Sequence, residues 1–167
     1  MMNDMKKIVI KSAENIESYV SSLDEDFLLI SITNPWSRYI HIPASKHCKG
    51  ILRLRFHDTA QKHRGKVHFR PRHAQRIKRF VLKNDTDLII CQCQAGISRS
   101  AGVGAALAKY YNLDAEEYFK TGGYVPNLLV FRTLLEVFGI EIGDDEIARY
   151  RRHFIDRFRE TAGYETF

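Results

Sequence analysis

The stretch Leu88-Ile89-Ile90-Cys91-Gln92-Cys93-Gln94-Ala95-Gly96-Ile97-Ser98-Arg99-Ser100 decides how the chain is read. Its first half, Leu88 to Gln92, is an apolar run of strand length, the kind that fills the centre of a parallel sheet. From Arg99 to Tyr111 the residues suit a helix, with Ala101-Gly102-Val103-Gly104-Ala105-Ala106-Leu107-Ala108 at its heart. Cys93 and the five residues before Arg99 lie between the two. A loop in that position sits at a helix N-terminus, where unpaired N–H groups and the helix dipole favour negative charge.

Working outward, Phe27 to Ile32 is a second continuous apolar run, broken by Asn34-Pro35. Ile51-Leu52-Arg53-Leu54-Arg55-Phe56 alternates as a strand and ends at His57-Asp58. Lys7 to Ile10 reads as a short strand. Ser12 then caps a helix through Leu23, with Ile16, Tyr19, Val20 and Leu23 at helical spacing. After a polar loop, Pro71 opens a helix to Lys83 whose apolar face is Ala74, Ile77, Phe80 and Val81. Further helices are expected over Asp114 to Phe119, Asn127 to Phe138 and Asp144 to about Arg159. Strands alternate with helices early and helices accumulate late. That predicts an α/β fold with a central, mainly parallel sheet flanked by helices on both faces, and the cysteine loop between the last core strand and a helix. Ligands of such sheets bind beyond the carboxyl ends of the strands, where both Asp58 and Cys93 fall. Trp36, Tyr39, Phe131 and Phe138 are expected in the core or at its shoulders, and Cys91 in the core. Arg149, Arg151, Arg152, Arg157 and Arg159 are expected on a solvated helix face.

With 167 residues, 44% apolar and 28% charged, the chain fits one soluble domain over 1–167. No apolar run approaches the roughly 18 residues of a membrane span. The polar start, Met1 to Lys7, does not resemble a secretory signal. Three cysteines without metal-type spacing point to a reduced, cytoplasmic protein with neither disulfide framework nor metal site. The net charge of +6 conceals an asymmetry. Between Asp58 and Asp85 there is no acid, while Lys62, Arg64, Lys66, Arg70, Arg72, Arg76, Lys78, Arg79 and Lys83 are all present, with His63, His68 and His73. This Lys62–Lys83 stretch is either a solvated basic face or a contact for a polyanion.

Only a few per cent of an ordinary thiol is thiolate at neutral pH, and a helix N-terminus with a nearby arginine favours the thiolate. The residues Gln94, Ala95, Gly96, Ile97, Ser98 and Arg99 can turn successive N–H groups inward as an anion nest. Gly96 supplies the backbone freedom for that curl. The Arg99 fork matches two phosphate oxygens, a geometry that lysine lacks. Ser100 can donate a hydroxyl hydrogen bond to the sulfur.

The string Cys93-Gln94-Ala95-Gly96-Ile97-Ser98-Arg99-Ser100-Ala101 resembles the signature of the cysteine-dependent protein tyrosine phosphatase superfamily, most closely its dual-specificity branch. That signature is a cysteine, five residues, an arginine, then serine or threonine. The family's general-acid Asp precedes its cysteine on a separate loop, and Asp58 lies 35 residues before Cys93. A Pro-Asn pair ahead of an apolar helix also matches, in Pro126-Asn127-Leu128-Leu129-Val130-Phe131; Asn127 would then support the phosphate loop. The resemblance runs from about Ile51 to Phe138. Gln92 departs from it, standing where the family usually has histidine. An amide can donate a hydrogen bond but carries no charge.

The resemblance implies hydrolysis of phosphate monoesters through a cysteinyl-phosphate, with no cofactor or metal. Cys93 is then the nucleophile, Arg99 and the loop the oxyanion ligands, Asp58 the acid and base, and Ser100 the aid to sulfur departure. The expected partner is a phosphorylated protein and the expected state a monomer. Alternatives are a phosphatase for a non-protein anion (an inositol phosphate, a phosphoinositide or an RNA 5′-phosphate) and a phosphate-binding module without turnover. A rhodanese-like sulfur carrier would leave Ser100, Asp58 and Asn127 without a role. His57 and His63 are rivals to Asp58 as the acid.

Overall fold

The computed structural model describes residues 5–161. Four strands form one parallel sheet: β1 (Lys7–Ser12), β2 (Phe27–Thr33), β3 (Cys48–Arg55) and β4 (Leu88–Cys93). Their order across the sheet is β1-β4-β2-β3. The two inner strands, β2 and β4, are buried along their whole length, which is why each is a continuous apolar run rather than an alternating one. The sheet edges, β1 and β3, carry the mixed patterns Lys-Ile-Val-Ile-Lys-Ser and Cys-Lys-Gly-Ile-Leu-Arg-Leu-Arg.

The helices are α1 (Ile16–Ser22), α2 (Pro71–Lys83), α3 (Arg99–Tyr110), α4 (Glu117–Lys120), α5 (Leu128–Phe138) and α6 (Asp144–Thr161). They cover the sheet unequally. On one face α1 stands alone, with Ile16 and Val20 against Phe27, Leu29, Leu88 and Ile90. The other face carries the larger core, where α2, α3 and α5 pack over Ile30, Ile32, Leu54, Ile89 and Cys91. Phe119 and Phe131 are fully buried there, and each side chain contributes about 2 kcal/mol of apolar burial. Phe119 stacks on Tyr150 at 4.4 Å, which fastens α6 to this layer. Helix α3 is buried from Arg99 to Ala108. A Cβ on Gly102 would come within 2.8 Å of the Asn127 carbonyl, so glycine there lets α3 approach the start of α5.

The strands, α2, α3, α5 and α6 fall close to their expected positions. Ser12 does not cap α1: it ends β1, its hydroxyl accepts from the Asn15 N–H, and α1 starts at Ile16. The expected helix from Asp114 shrinks to the four residues of α4, because the Asp114 carboxylate accepts from the Glu116 and Glu117 N–H groups and uses the first residues as a cap turn. Trp36 and Tyr39 are not core residues. Trp36 is 86% exposed in a turn closed by the Ser37 N–H on the Asn34 carbonyl, and Tyr39 lies beneath the Arg55 guanidinium at 4.0 Å. Of the C-terminal arginines, Arg149 lies on the solvated face as expected and pairs there with Glu116, while Arg157 is half-buried and donates to the Thr121 and Tyr124 carbonyls. Among the described residues, no helix is long and apolar enough to cross a membrane.

Candidate active site

Every strand of the sheet delivers something to the loop after β4. The loop from Gln94 to Ser98 rises from Cys93, whose side chain lies on the same face of β4 as the buried Cys91. The turn after β1 holds it from below: the Ala13 N–H donates to the Gln94 carbonyl, and the Gly96 backbone passes over Ser12. Gly96 has φ +67°, and a Cβ there would lie 2.7 Å from the Ser12 nitrogen. Both conformation and space demand glycine. On the far side, the Val125 and Asn127 N–H groups donate to the Ile97 and Ser98 carbonyls. The Gln94, Ile97 and Ser98 carbonyls are thus engaged by partners outside the loop, which suits an inward nest of N–H groups.

Ser98 is the N-cap of α3, yet its side chain caps no backbone group. Its hydroxyl instead donates to Asp58 Oδ1 at 2.8 Å. A serine at this position ordinarily satisfies one of the first-turn N–H groups. With Ser98 turned away, the first turn of α3 has no side-chain cap from its N-cap residue, and such donors suit an anion.

Arg99 is 5% exposed and half committed. Its Nη1 donates to Asn34 Oδ1 at 2.8 Å, beyond β2, and to the Phe56 carbonyl at 2.9 Å, beyond β3. Its Nε is buried and has no partner among the described residues. One arm of the guanidinium is clamped and the other edge presents a desolvated donor. A buried donor without a partner is costly unless a ligand satisfies it.

Cys93 is 2% exposed, and its Sγ lies 3.0 Å from Ser100 Oγ. Asp58 reaches the loop from the end of β3. Its Oδ1 accepts from Ser98 Oγ and, at 2.8 Å, from Asn127 Nδ2. Asn127 also donates to the Thr59 carbonyl and accepts from the Val130 N–H, so one buried amide caps α5 and pins the loop that carries Asp58. Of the two rival acids, His57 is tied into the loop that carries Asp58, its Nδ1 accepting from the Val67 N–H; the exposed His63 takes part through its backbone, whose N–H donates to His68 Nε2.

The expected residues Cys93, Arg99, Ser100, Asp58, Ser98, Gly96 and Asn127 therefore converge, with Gln94, Ala95 and Ile97 forming an exposed rim. Gln92 is wholly buried and faces the sheet. Its Oε1 accepts from Ser31 Oγ and its Nε2 donates to the Cys93 carbonyl. Sequence reasoning missed Asn34 and Ser31. Asn34 was visible only as half of a strand-breaking Asn-Pro. Ser31 carried a signal that could have been used: a lone hydroxyl inside an otherwise apolar buried strand needs a partner. Burial pushes the Cys91 thiol up, which fits its expected packing role. Cys48 begins β3 at the opposite end of the sheet from Cys93, so the two are too far apart to pair.

No protein-family model and no curated relative matches this sequence. The chain is similar to solved structures of the tyrosine and dual-specificity phosphatase kind. It matches the human tyrosine phosphatase-like serine/threonine/tyrosine-interacting protein at 13% identity and TM-score 0.46, covering 90% of this chain and 93% of that one. Human DUSP28 matches at 13% identity and TM-score 0.43, over 87% and 90% of the two chains. A mouse putative dual specificity phosphatase complexed with zinc tungstate matches at 14% identity and TM-score 0.41, over 93% and 86%. Identities and scores this low assign no activity.

Proposed function

We propose that this protein hydrolyses phosphate monoesters through a cysteinyl-phosphate intermediate, as a protein phosphatase of tyrosine or dual specificity. The observation that carries the reading is the half-committed Arg99: a buried, unpartnered Nε beside the nucleophile and the open first turn of a helix. That is a receptor for a tetrahedral oxyanion.

Cys93 Sγ attacks phosphorus in line with the bond to the leaving oxygen. The free edge of Arg99 and the loop N–H groups hold the equatorial oxygens as charge spreads over them. The leaving oxygen takes a proton from Asp58, whose Oδ1 is already occupied by Ser98 and Asn127, so Oδ2 carries it. Water then attacks phosphorus while Asp58 accepts its proton. The sulfur–phosphorus bond breaks, and the Ser100 hydroxyl donates to the departing thiolate across their 3.0 Å contact. The exposed rim of Gln94, Ala95 and Ile97 supports a wide mouth, open to phosphoserine and phosphothreonine as well as phosphotyrosine.

The test is turnover of p-nitrophenyl phosphate in the presence of a chelator. The native chain should release nitrophenol and the Cys93→Ser variant should not. Binding of phosphate without turnover at any pH would reduce the protein to a binding module.

A further inference from the structure

The basic run between Asp58 and Asp85 does not form one face. Arg76 turns to the Arg53 carbonyl on the sheet edge, and Lys78 reaches the Val137 carbonyl on α5. Two of its cations, Lys62 and Arg70, instead line a cleft of about 720 Å³ together with Arg132 on α5 and Arg151 on α6. The remaining ionisable lining is His68 and a single carboxylate, Glu136. None of the four permanent cations makes an ion pair among the described residues. Four cations brought from three separate parts of the chain to one concavity repel each other. Among the described residues the one carboxylate in the cleft, Glu136, offsets only part of that, and a bound polyanion would offset the rest.

The cleft borders the two segments that carry Asp58 and Asn127. Its walls include Ala60 and Lys62, just past Asp58, and Leu128 and Leu129, just past Asn127. The Asn127 amide that holds Asp58 thus ties together the two segments whose next residues wall the cleft. The volume falls within the roughly 300–1,000 Å³ of small-molecule sites. We propose that this cleft is a second anion-binding subsite, taking a phosphate group of a multiply phosphorylated small molecule. Its service to turnover rests on the hydrolase reading above; its capacity to bind an anion does not.

The experiment is calorimetric titration of inorganic tripolyphosphate into the full chain at low salt. The partners are Arg132→Glu/Arg151→Glu, Arg132→Gln/Arg151→Gln and a control, Arg72→Glu/Arg79→Glu, from exposed positions outside the cleft. Reversing two charge contacts should weaken binding about tenfold, and neutralising them about threefold. The control should bind like the native chain. In all three variants, kcat/KM for p-nitrophenyl phosphate should stay within about twofold, because none of these residues touches the cradle. Unchanged affinity in either folded cleft variant would overturn the proposal. So would an equal loss in the control, which would mean that net charge alone attracts the anion. Failure of the native chain to turn over aryl phosphate would instead count against the hydrolase reading and leave the binding result to stand on its own.

Discussion

Ser31 Oγ donates to Gln92 Oε1 across 2.6 Å in the middle of the sheet, and both residues are fully buried. The contact is the centre of a chain. Arg53 Nη1 approaches the Ser31 hydroxyl at 3.4 Å from the edge strand β3, and Gln92 Nε2 passes the link to the Cys93 carbonyl at 2.9 Å. Where the signature that the cysteine loop resembles has a histidine, this chain holds the Cys93 carbonyl with a neutral relay that crosses three strands. Every donor and acceptor of the Gln92 amide that the relay uses is matched, which makes it tolerable at zero exposure.

Breaking one side of that relay should cost more than removing both. Gln92→Leu strands the Ser31 hydroxyl in an apolar layer and should lower unfolding free energy by about 1–3 kcal/mol. Ser31→Ala alone should cost a similar amount. The double variant should lose less than the sum of the two single losses, since neither the Ser31 hydroxyl nor the Gln92 amide is left facing a vacated partner. Urea unfolding of the four proteins measures this cycle, and strict additivity would show that the two side chains are not coupled.

Asp58→Asn is a clean chemical test because the amide oxygen can still accept from Ser98 and Asn127. The loop should keep its shape while losing its proton donor. We expect kcat to fall by about 10²–10⁴, with loss of the basic limb of the pH profile, since that limb reports the protonated acid. Survival of the limb would move the role of acid to another group.

The fold was readable because its signals are local and repeated. The near-continuous apolar runs beginning at Phe27 and Leu88 suit inner parallel strands, and Pro71 and Asn127 mark helix starts, one by its fixed backbone and one by its capping side chain. The shape of the cysteine loop was readable for the same reason, since one short segment carries Cys93, Gly96 and Arg99. What holds the loop was not readable. Asn34 reaches Arg99 across 65 residues and Asn127 reaches Asp58 across 69, and no periodicity encodes such a pairing. Trp36 shows the converse failure. Its size argues for burial, but the Asn34–Ser37 turn carries it off the sheet into solvent.

Ser100→Ala should separate the two chemical steps. The hydroxyl contacts only the sulfur side of the reaction, so its loss leaves attack nearly intact and slows the release of sulfur from phosphorus. The expected result is a burst of nitrophenol followed by a slower steady state, with phosphocysteine accumulating on the protein. Rapid-mixing kinetics with acid-quench mass spectrometry would show it. An equal fall in burst and steady-state rates would assign Ser100 to the first step.

The acid loop should come apart from its far end as pH falls. His73 is 5% exposed, its Nδ1 accepts from the Arg70 N–H, and its ring packs on Phe56 and Phe69. Burial pushes its pKa down to about 4, helped by Arg72, Arg76 and Arg70. In the unfolded chain a histidine titrates near 6.5. Between these values the unfolded state binds the extra proton, so stability rises with pH. The contribution is therefore complete above about pH 6.5 and is lost as pH falls toward 4. His73→Gln retains an acceptor and removes the titration. From pH 7 to pH 4.5 the native chain should lose on the order of 2 kcal/mol more unfolding free energy than this variant. Parallel pH dependence of the two proteins in urea unfolding would remove His73 from the acid sensitivity of the loop that carries Asp58.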